Sequence, residues 1–145
     1  MIKVEDMPLE EMQALLRRVG FGHLGCVGEN GRPYVVPIHY AYDSEFIYIF
    51  TTEGMKTNYI EHNPLVCLQV EEVQDAAHWL SVMVNGSAER IVEPTSMEQA
   101  MRRITESNPT LTPAINATQI DAWGRANTIA VYRIRPEIID GRKTV

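Results

Sequence analysis

Apolar residues recur at three- and four-residue steps early in the chain. Leu9, Met12, Leu15, Leu16 and Val19 fall on one face of a helix over Pro8–Val19. Asp6 is read as its N-cap, Pro8 suits its first turn, and Gly20 stops it. The pattern then shifts to short β-type runs over Phe21–Val27, Arg32–Tyr42 and Phe46–Thr51. Turn-rich Gly28-Glu29-Asn30-Gly31 and Asp43-Ser44-Glu45 separate them, which implies an antiparallel meander. Pro37 cannot donate to a ladder, so it marks an edge or a bulge.

A short helix is expected after Thr52, ending at Asn63-Pro64. Leu65–Glu72 and Trp79–Val92 read as two further strands. In the second of these, Ser81, Met83 and Asn85 alternate with Val82 and Val84. Pro94–Ser107 has Met97, Met101 and Ile104 on one helical face, Asn108–Thr118 is a polar loop, and Thr128–Ile134 is a last strand. Six strands with two or three short peripheral helices give a mainly β, α+β domain spanning residues 1–145. In a chain this small they are best closed into a small barrel, because closure removes adhesive edges. Such a barrel has no room inside for a cofactor, which would lie outside it or between subunits.

Composition narrows the function classes. The 145 residues are 45% hydrophobic and 22% charged, as in an ordinary globular protein. A net charge of −6 argues against nucleic-acid binding through bulk electrostatics, and no apolar run is long enough for a membrane helix. Cys26 and Cys67 form neither a disulfide framework nor a zinc spacing, and MIKVEDMPLEEM does not read as a signal peptide, so a cytoplasmic protein is expected. His23, His39, His62 and His78 lack metal-ligand spacing, and no metal site is expected. No Ser-His-Asp arrangement is readable.

Charge patterning adds one detail. Between Arg32 and Arg90 the only basic side chain is Lys56, set among eight carboxylates. It lies in Thr51-Thr52-Glu53-Gly54-Met55-Lys56, where two hydroxyls, a flexible glycine, a helix start and an ammonium group converge. These are parts that hold a phosphate, although neither GxxxxGK[ST] nor GxGxxG is present. An ordinary helix cap on a solvated face is the competing reading.

The chain resembles the pyridoxamine 5′-phosphate oxidase-like family of FMN-binding split-barrel proteins, in its small nitroimidazole-resistance-type branch. The matching pieces, in order, are Gly20-Phe21-Gly22-His23-Leu24, Gly31-Arg32-Pro33-Tyr34-Val35-Val36-Pro37-Ile38-His39-Tyr40, Ile47-Tyr48-Ile49-Phe50-Thr51-Thr52 with Gly54-Met55-Lys56, Asn63-Pro64, Ser81-Val82-Met83-Val84-Asn85-Gly86, and Ile134–Arg142. The resemblance implies a homodimer of split barrels with FMN at the subunit interface. It implies that Lys56, next to Met55, pairs with the FMN phosphate and that Thr51 and Thr52 bond phosphate or ribityl oxygens. It further implies that Val35, Val36, Pro37 and Ile38 run along the isoalloxazine ring, and that Ser81 reaches the flavin. Trp79 and Trp123 could stack on a ring or pack in a core or interface.

Departures from the family pattern limit the activity. The second strand lacks the arginines of the classical oxidase, and Arg133, Arg135 and Arg142 form a different C-terminal pattern. Pyridoxamine phosphate oxidation is therefore not expected. Many nitroimidazole-type relatives carry a histidine near the position of Thr51, which this chain lacks. The expectation is an FMN-dependent oxidoreductase passing electrons from NAD(P)H or a similar donor to a small acceptor, with no catalytic residue identified. Its rivals are a non-enzymatic flavin store and a haem-binding split barrel with a histidine as axial ligand. A deazaflavin-dependent reductase ranks lower, because the acidic central segment suits its tail poorly.

Overall fold

The alternating strands assemble into one antiparallel sheet in the computed structural model, which describes residues 1–108 and 129–145. The elements run β1 (Val4–Asp6), α1 (Leu9–Val19), β2 (Phe21–Val27), β3 (Pro33–His39), β4 (Ala41–Tyr42), β5 (Ile47–Thr52), α2 (Met55–His62), β6 (Leu65–Asp75), β7 (His78–Ile91), α3 (Pro94–Ser107) and β8 (Ile129–Thr144). The sheet order is β3-β2-β6-β7-β8-β5-β4, with β1 added to β8.

Period-two alternation decides which side chains fill the barrel. Ile47 and Ile49 of β5 and Ala130, Tyr132 and Ile134 of β8 point inward, with Leu24, Leu68, Val70, Val82 and Val84. The opposite faces of β5 and β8, through Phe50, Ile129 and Val131, are covered by Ala100 and Ile104 of α3. Helix α1 packs Met12, Leu15 and Leu16 into the barrel core. Gly20 ends α1 with φ 72, a left-handed conformation that favours glycine.

The fold departs from the sequence expectation in four places. Eight strands are present among the described residues where six were expected. β1 is three residues recruited by the distant end of β8, with Asp6 opposite Arg142, so Asp6 is a strand residue and Pro8 precedes the helix. Expected strand Arg32–Tyr42 breaks at Tyr40, whose N–H donates to the Gly20 carbonyl (2.9 Å) and whose hydroxyl donates to the Leu16 carbonyl (2.7 Å). β8 continues past Ile134 to Thr144, because pairing with β7 resumes beyond a register shift at Asn85/Gly86.

The barrel is split, as the family resemblance implies, and not closed as strand count and chain size alone suggested. β3 pairs only with β2, and β4 only with β5. The two ends of the sheet are therefore joined by the chain through Tyr40, not by a ladder. Pro37 is tolerated because β3 is an edge strand.

The turn after β4 depends on Asp43. Its carboxylate accepts the N–H groups of Glu45 (2.9 Å) and Phe46 (2.7 Å) and the hydroxyl of Tyr48 (2.7 Å). Burial pushes its pKa up, but these hydrogen bonds and the nearby Arg103 outweigh that and hold it below the usual value. A carboxyl depressed by folding contributes stability above its unfolded pKa of about 4, and loses it as the pH falls through the folded value. Asp43→Asn should therefore flatten the acid limb of a urea-denaturation stability profile. A variant profile running parallel to wild type down to pH 2 would remove Asp43 from that role.

Candidate functional site

The split creates a cleft. Among the described residues, β4 pairs with β5 only at Ile47 and Tyr48, and beyond that point β5 runs on along β8 to Thr52. Among the described residues β3 pairs only with β2, and it runs into β4 with only Tyr40 between them. Two edges thus diverge from a common apex at Tyr40. One carries Val35, Val36, Pro37 and Ile38; the other ends in Thr51 and Thr52. Segments that are separate in sequence thus lie on either side of the split.

Helix α2 stands at the mouth. It follows β5 directly and buries Ile60 in the barrel core, while its Tyr59 ring meets Tyr34 of β3 edge-on at 5.4 Å. It therefore bridges both sides of the split. Its start is organised by Thr57, which is buried: the Gly54 N–H donates to Thr57 Oγ1 (2.9 Å), and that hydroxyl donates to the Gly54 carbonyl (2.8 Å). Gly54 has no side chain to cap the first turn, and among the described residues a Cβ added there would meet nothing within 4 Å. The segment bearing Met55 and Lys56 is thus the N-terminal turn of a helix, whose backbone N–H groups point away from the helix body.

The far end of α2 is tied to the barrel. Arg90 of β7 pairs with Glu53 and with Glu61 (3.3 Å), and the Tyr132 hydroxyl donates to Glu61 (2.9 Å). Burial, and then Glu61, push the Tyr132 hydroxyl pKa up. Sequence reading missed Arg90, which lies 37 residues from Glu53. The isolation of Lys56 among carboxylates was the only hint that another cation would be brought there.

Side chains on β3 divide between two faces. Val36 and Ile38 pack on the barrel core, whereas Val35 is 63% exposed and Pro37 lies on its outer face. His39 is buried, as in the packed reading of that residue. Its Nδ1 lies 2.9 Å from Asn108 Oδ1, and the Asn108 amide donates to the carbonyls of Tyr40 and Ile104. Because that amide is the donor there, Oδ1 accepts and His39 Nδ1 carries the proton. His39 Nε2 has no hydrogen-bond partner among the described residues.

Ser81 is not brought to the cleft within one chain. It lies on β7, three strand positions from β3 and therefore roughly 14 Å away. It shares the outer sheet face with Val35, and its Oγ accepts from Gln69 (3.1 Å). That face also exposes Leu65, Met83 and Ile138. Trp123 lies outside the described residues. Cys26 is buried in the core, and burial pushes up the pKa of the half-buried Cys67 thiol. Among the described residues, no group of three or more potential metal ligands occurs, and no helix is long and apolar enough to cross a membrane.

The C-terminal arginines are dispersed along β8. Arg133 and Arg135 lie over the Phe46 ring, with Arg133 paired to Glu89 (2.7 Å), while Arg142 pairs with Asp6 (3.3 Å) at the opposite end.

Known proteins resemble this chain in sequence and in fold. Residues 8–143 match the family model described as pyridoxamine 5′-phosphate oxidase. A curated relative from Rhizobium meliloti, described as uncharacterized, is 35% identical over 83 residues, or 57% of this chain and 54% of that protein. The match thus spans about half the length of that relative. An FAD-binding protein from Mesorhizobium loti superposes with a TM-score of 0.79 at 26% identity, covering 100% of this chain and 99% of that one. A candidate 5-nitroimidazole antibiotic resistance protein from Bacteroides thetaiotaomicron gives a TM-score of 0.77 at 18% identity, covering 99% and 89%. A heme-binding protein from Mycobacterium smegmatis shares the fold at 13% identity and a TM-score of 0.69, covering 90% and 51%.

Proposed function

Because the chain belongs to the pyridoxamine 5′-phosphate oxidase family, we propose that it binds FMN in the β3/β5 split and is an FMN-dependent oxidoreductase acting on a small acceptor. The observation that carries this reading is that β3 and β5 lie on either side of the split, with the start of α2, organised by Thr57, following directly on β5. The phosphate would meet the α2 N-terminus with Lys56, beside the hydroxyl-bearing end of β5 at Thr51 and Thr52. The free edge of β3 offers backbone donors and acceptors to the polar rim of a ring, and Val35 and Pro37 offer apolar contact. The bound flavin would supply the electron transfer; the chain would bind, orient and shield it.

In this reading the protein is a homodimer joined through the outer sheet face. Register aligns Val35, Gly25, Cys67, Asn85 and Ile138 in one row across five strands. The exposed Leu65, Met83 and Ile138 lie on that face, as does Ser81. A second copy seated there is the route by which Ser81 would reach a flavin on β3. The dispersed arginines of β8 do not favour a substrate phosphate clamp, which supports a simpler acceptor. Haem is the rival that the spectrum must decide against, since the Nδ1–H bond of His39 to Asn108 leaves its buried Nε2 without a partner among the described residues.

Purified protein should carry, or take up, one flavin per chain, with absorbance bands near ~370 and ~450 nm (cofactor chemistry, not protein geometry). Mass spectrometry of the released molecule should identify FMN, and dilution to monomer should release it. FAD as the only bound flavin would correct the cofactor. An intense haem band near ~400 nm would overturn the flavin reading. Turnover of NAD(P)H by the loaded protein should follow; binding without turnover by any donor would favour a flavin store.

A further inference from the structure

The junction proposed to receive a phosphate has a carboxylate directly before it. Glu53 precedes Gly54 and the first turn of α2, and a second carboxylate, Glu61, lies on the same helix. A phosphate monoester carries close to two negative charges at neutral pH, so an uncompensated Glu53 would repel it at short range. Among the described residues, Arg90 is the cation that the fold brings to Glu53. Its guanidinium contacts Glu53 through Nη2 and Glu61 through Nη1 (3.3 Å), and its side chain is only 33% exposed. Glu61 is held a second time by the Tyr132 hydroxyl.

The register explains why Arg90 can do this. It stands opposite Tyr132 in the β7–β8 pairing, beside the strand that flanks β5. From there it reaches the two ends of α2, separated along the helix axis by roughly 10 Å. Glu61 belongs to the C-terminal half of α2, and its carboxylate is shared between Arg90 and the Tyr132 hydroxyl. Glu53 is the carboxylate whose charge matters at the helix start.

We propose that Arg90 is a positioning residue for the phosphate-binding junction, cancelling the charge of Glu53 so that the α2 N-terminus accepts a phosphate monoester. The inference rests on the FMN reading above. It differs from simple anchoring of α2 in what it requires of Glu53. If the Arg90–Glu53 contact only ties the helix down, either partner's removal does equal harm. If Arg90 acts by charge, removing Glu53 relieves the repulsion that Arg90 offsets.

Titration of FMN into apo-protein, followed by flavin fluorescence, separates the two. Arg90→Met should weaken FMN binding about tenfold, the scale of one half-screened charge interaction. Glu53→Gln should tighten binding about threefold. The Glu53→Gln/Arg90→Met double variant should return to within about threefold of wild type. Glu53→Gln weakening FMN as much as Arg90→Met, with no recovery in the double variant, would overturn the proposal in favour of an anchor. Unchanged binding by Arg90→Met would overturn it outright. Thermal melts and Arg90→Lys, which keeps the charge, guard against misfolding: loss in Arg90→Met with retention in Arg90→Lys supports the charge role. A wild-type protein that binds no FMN would remove the flavin reading itself, an outcome visible before any variant is made.

Discussion

Gly86→Ala is expected to destabilise the protein by about 3 kcal/mol or more, among the larger effects of a single methyl group. A Cβ at Gly86 would lie 2.2 Å from the carbonyl oxygen of Arg135 and 3.0 Å from its carbonyl carbon. These are backbone atoms of β8 and cannot rotate away. Gly86 also sits at the register shift between β7 and β8, where the two long strands must approach closely to resume pairing toward Thr144. Gly141→Ala provides the contrast. Its Cβ would meet Met12 Sδ at 2.8 Å and Met7 Sδ at 2.9 Å, ends of flexible side chains that can move. Urea denaturation should find the Gly141 variant within about 1.5 kcal/mol of wild type and the Gly86 variant far below it. Equal losses at the two sites would show that backbone approach at Gly86 is not what constrains it.

Lys56→Ala should weaken FMN binding by about 1.5–3 kcal/mol, roughly 10- to 150-fold, the scale of a charge-assisted hydrogen bond to phosphate. Lys56 lies in the first turn of α2, where the helix N-terminus already favours an anion. In sequence it stands alone among the carboxylates between Arg32 and Arg90. Riboflavin, which lacks the phosphate, should bind the variant and the wild type alike. A Kd for FMN unchanged by Lys56→Ala would take Lys56 out of the site. A parallel loss for riboflavin would point to damage to the cleft instead of a lost phosphate contact. The expected ordering, Lys56→Ala larger than Arg90→Met, follows from direct contact against charge compensation.

Much of the fold was legible because its signals are local. The one-sided apolar face of α1, its Gly20 stop, the helix at Pro94–Ser107 and the hairpin turns all depend on neighbouring residues. Alternation along β7 correctly separated Val82 and Val84 from Ser81 and Met83. β1 was not legible, since three residues form a strand there only because the end of β8 lies beside them. The split was legible only through the family resemblance: Arg32–Tyr42 is strongly β in composition apart from Pro37, and its break at Tyr40 depends on Gly20 and Leu16 of another element.

The site divides in the same way. The sequence alone determined the chemical inventory: a hydroxyl-rich strand end, a glycine, a helix start and one lysine in six residues, and an apolar strand interrupted by Pro37. Tertiary structure decided which of these meet. It set β3 and β5 on either side of the split, left Ser81 three strands away on the outer face, and brought Arg90 to Glu53. The physical reason is that residue type and local spacing determine what a segment can bond to. Which distant segment supplies the partner depends on strand register and on where the sheet stops closing, and these are properties of the whole packed chain.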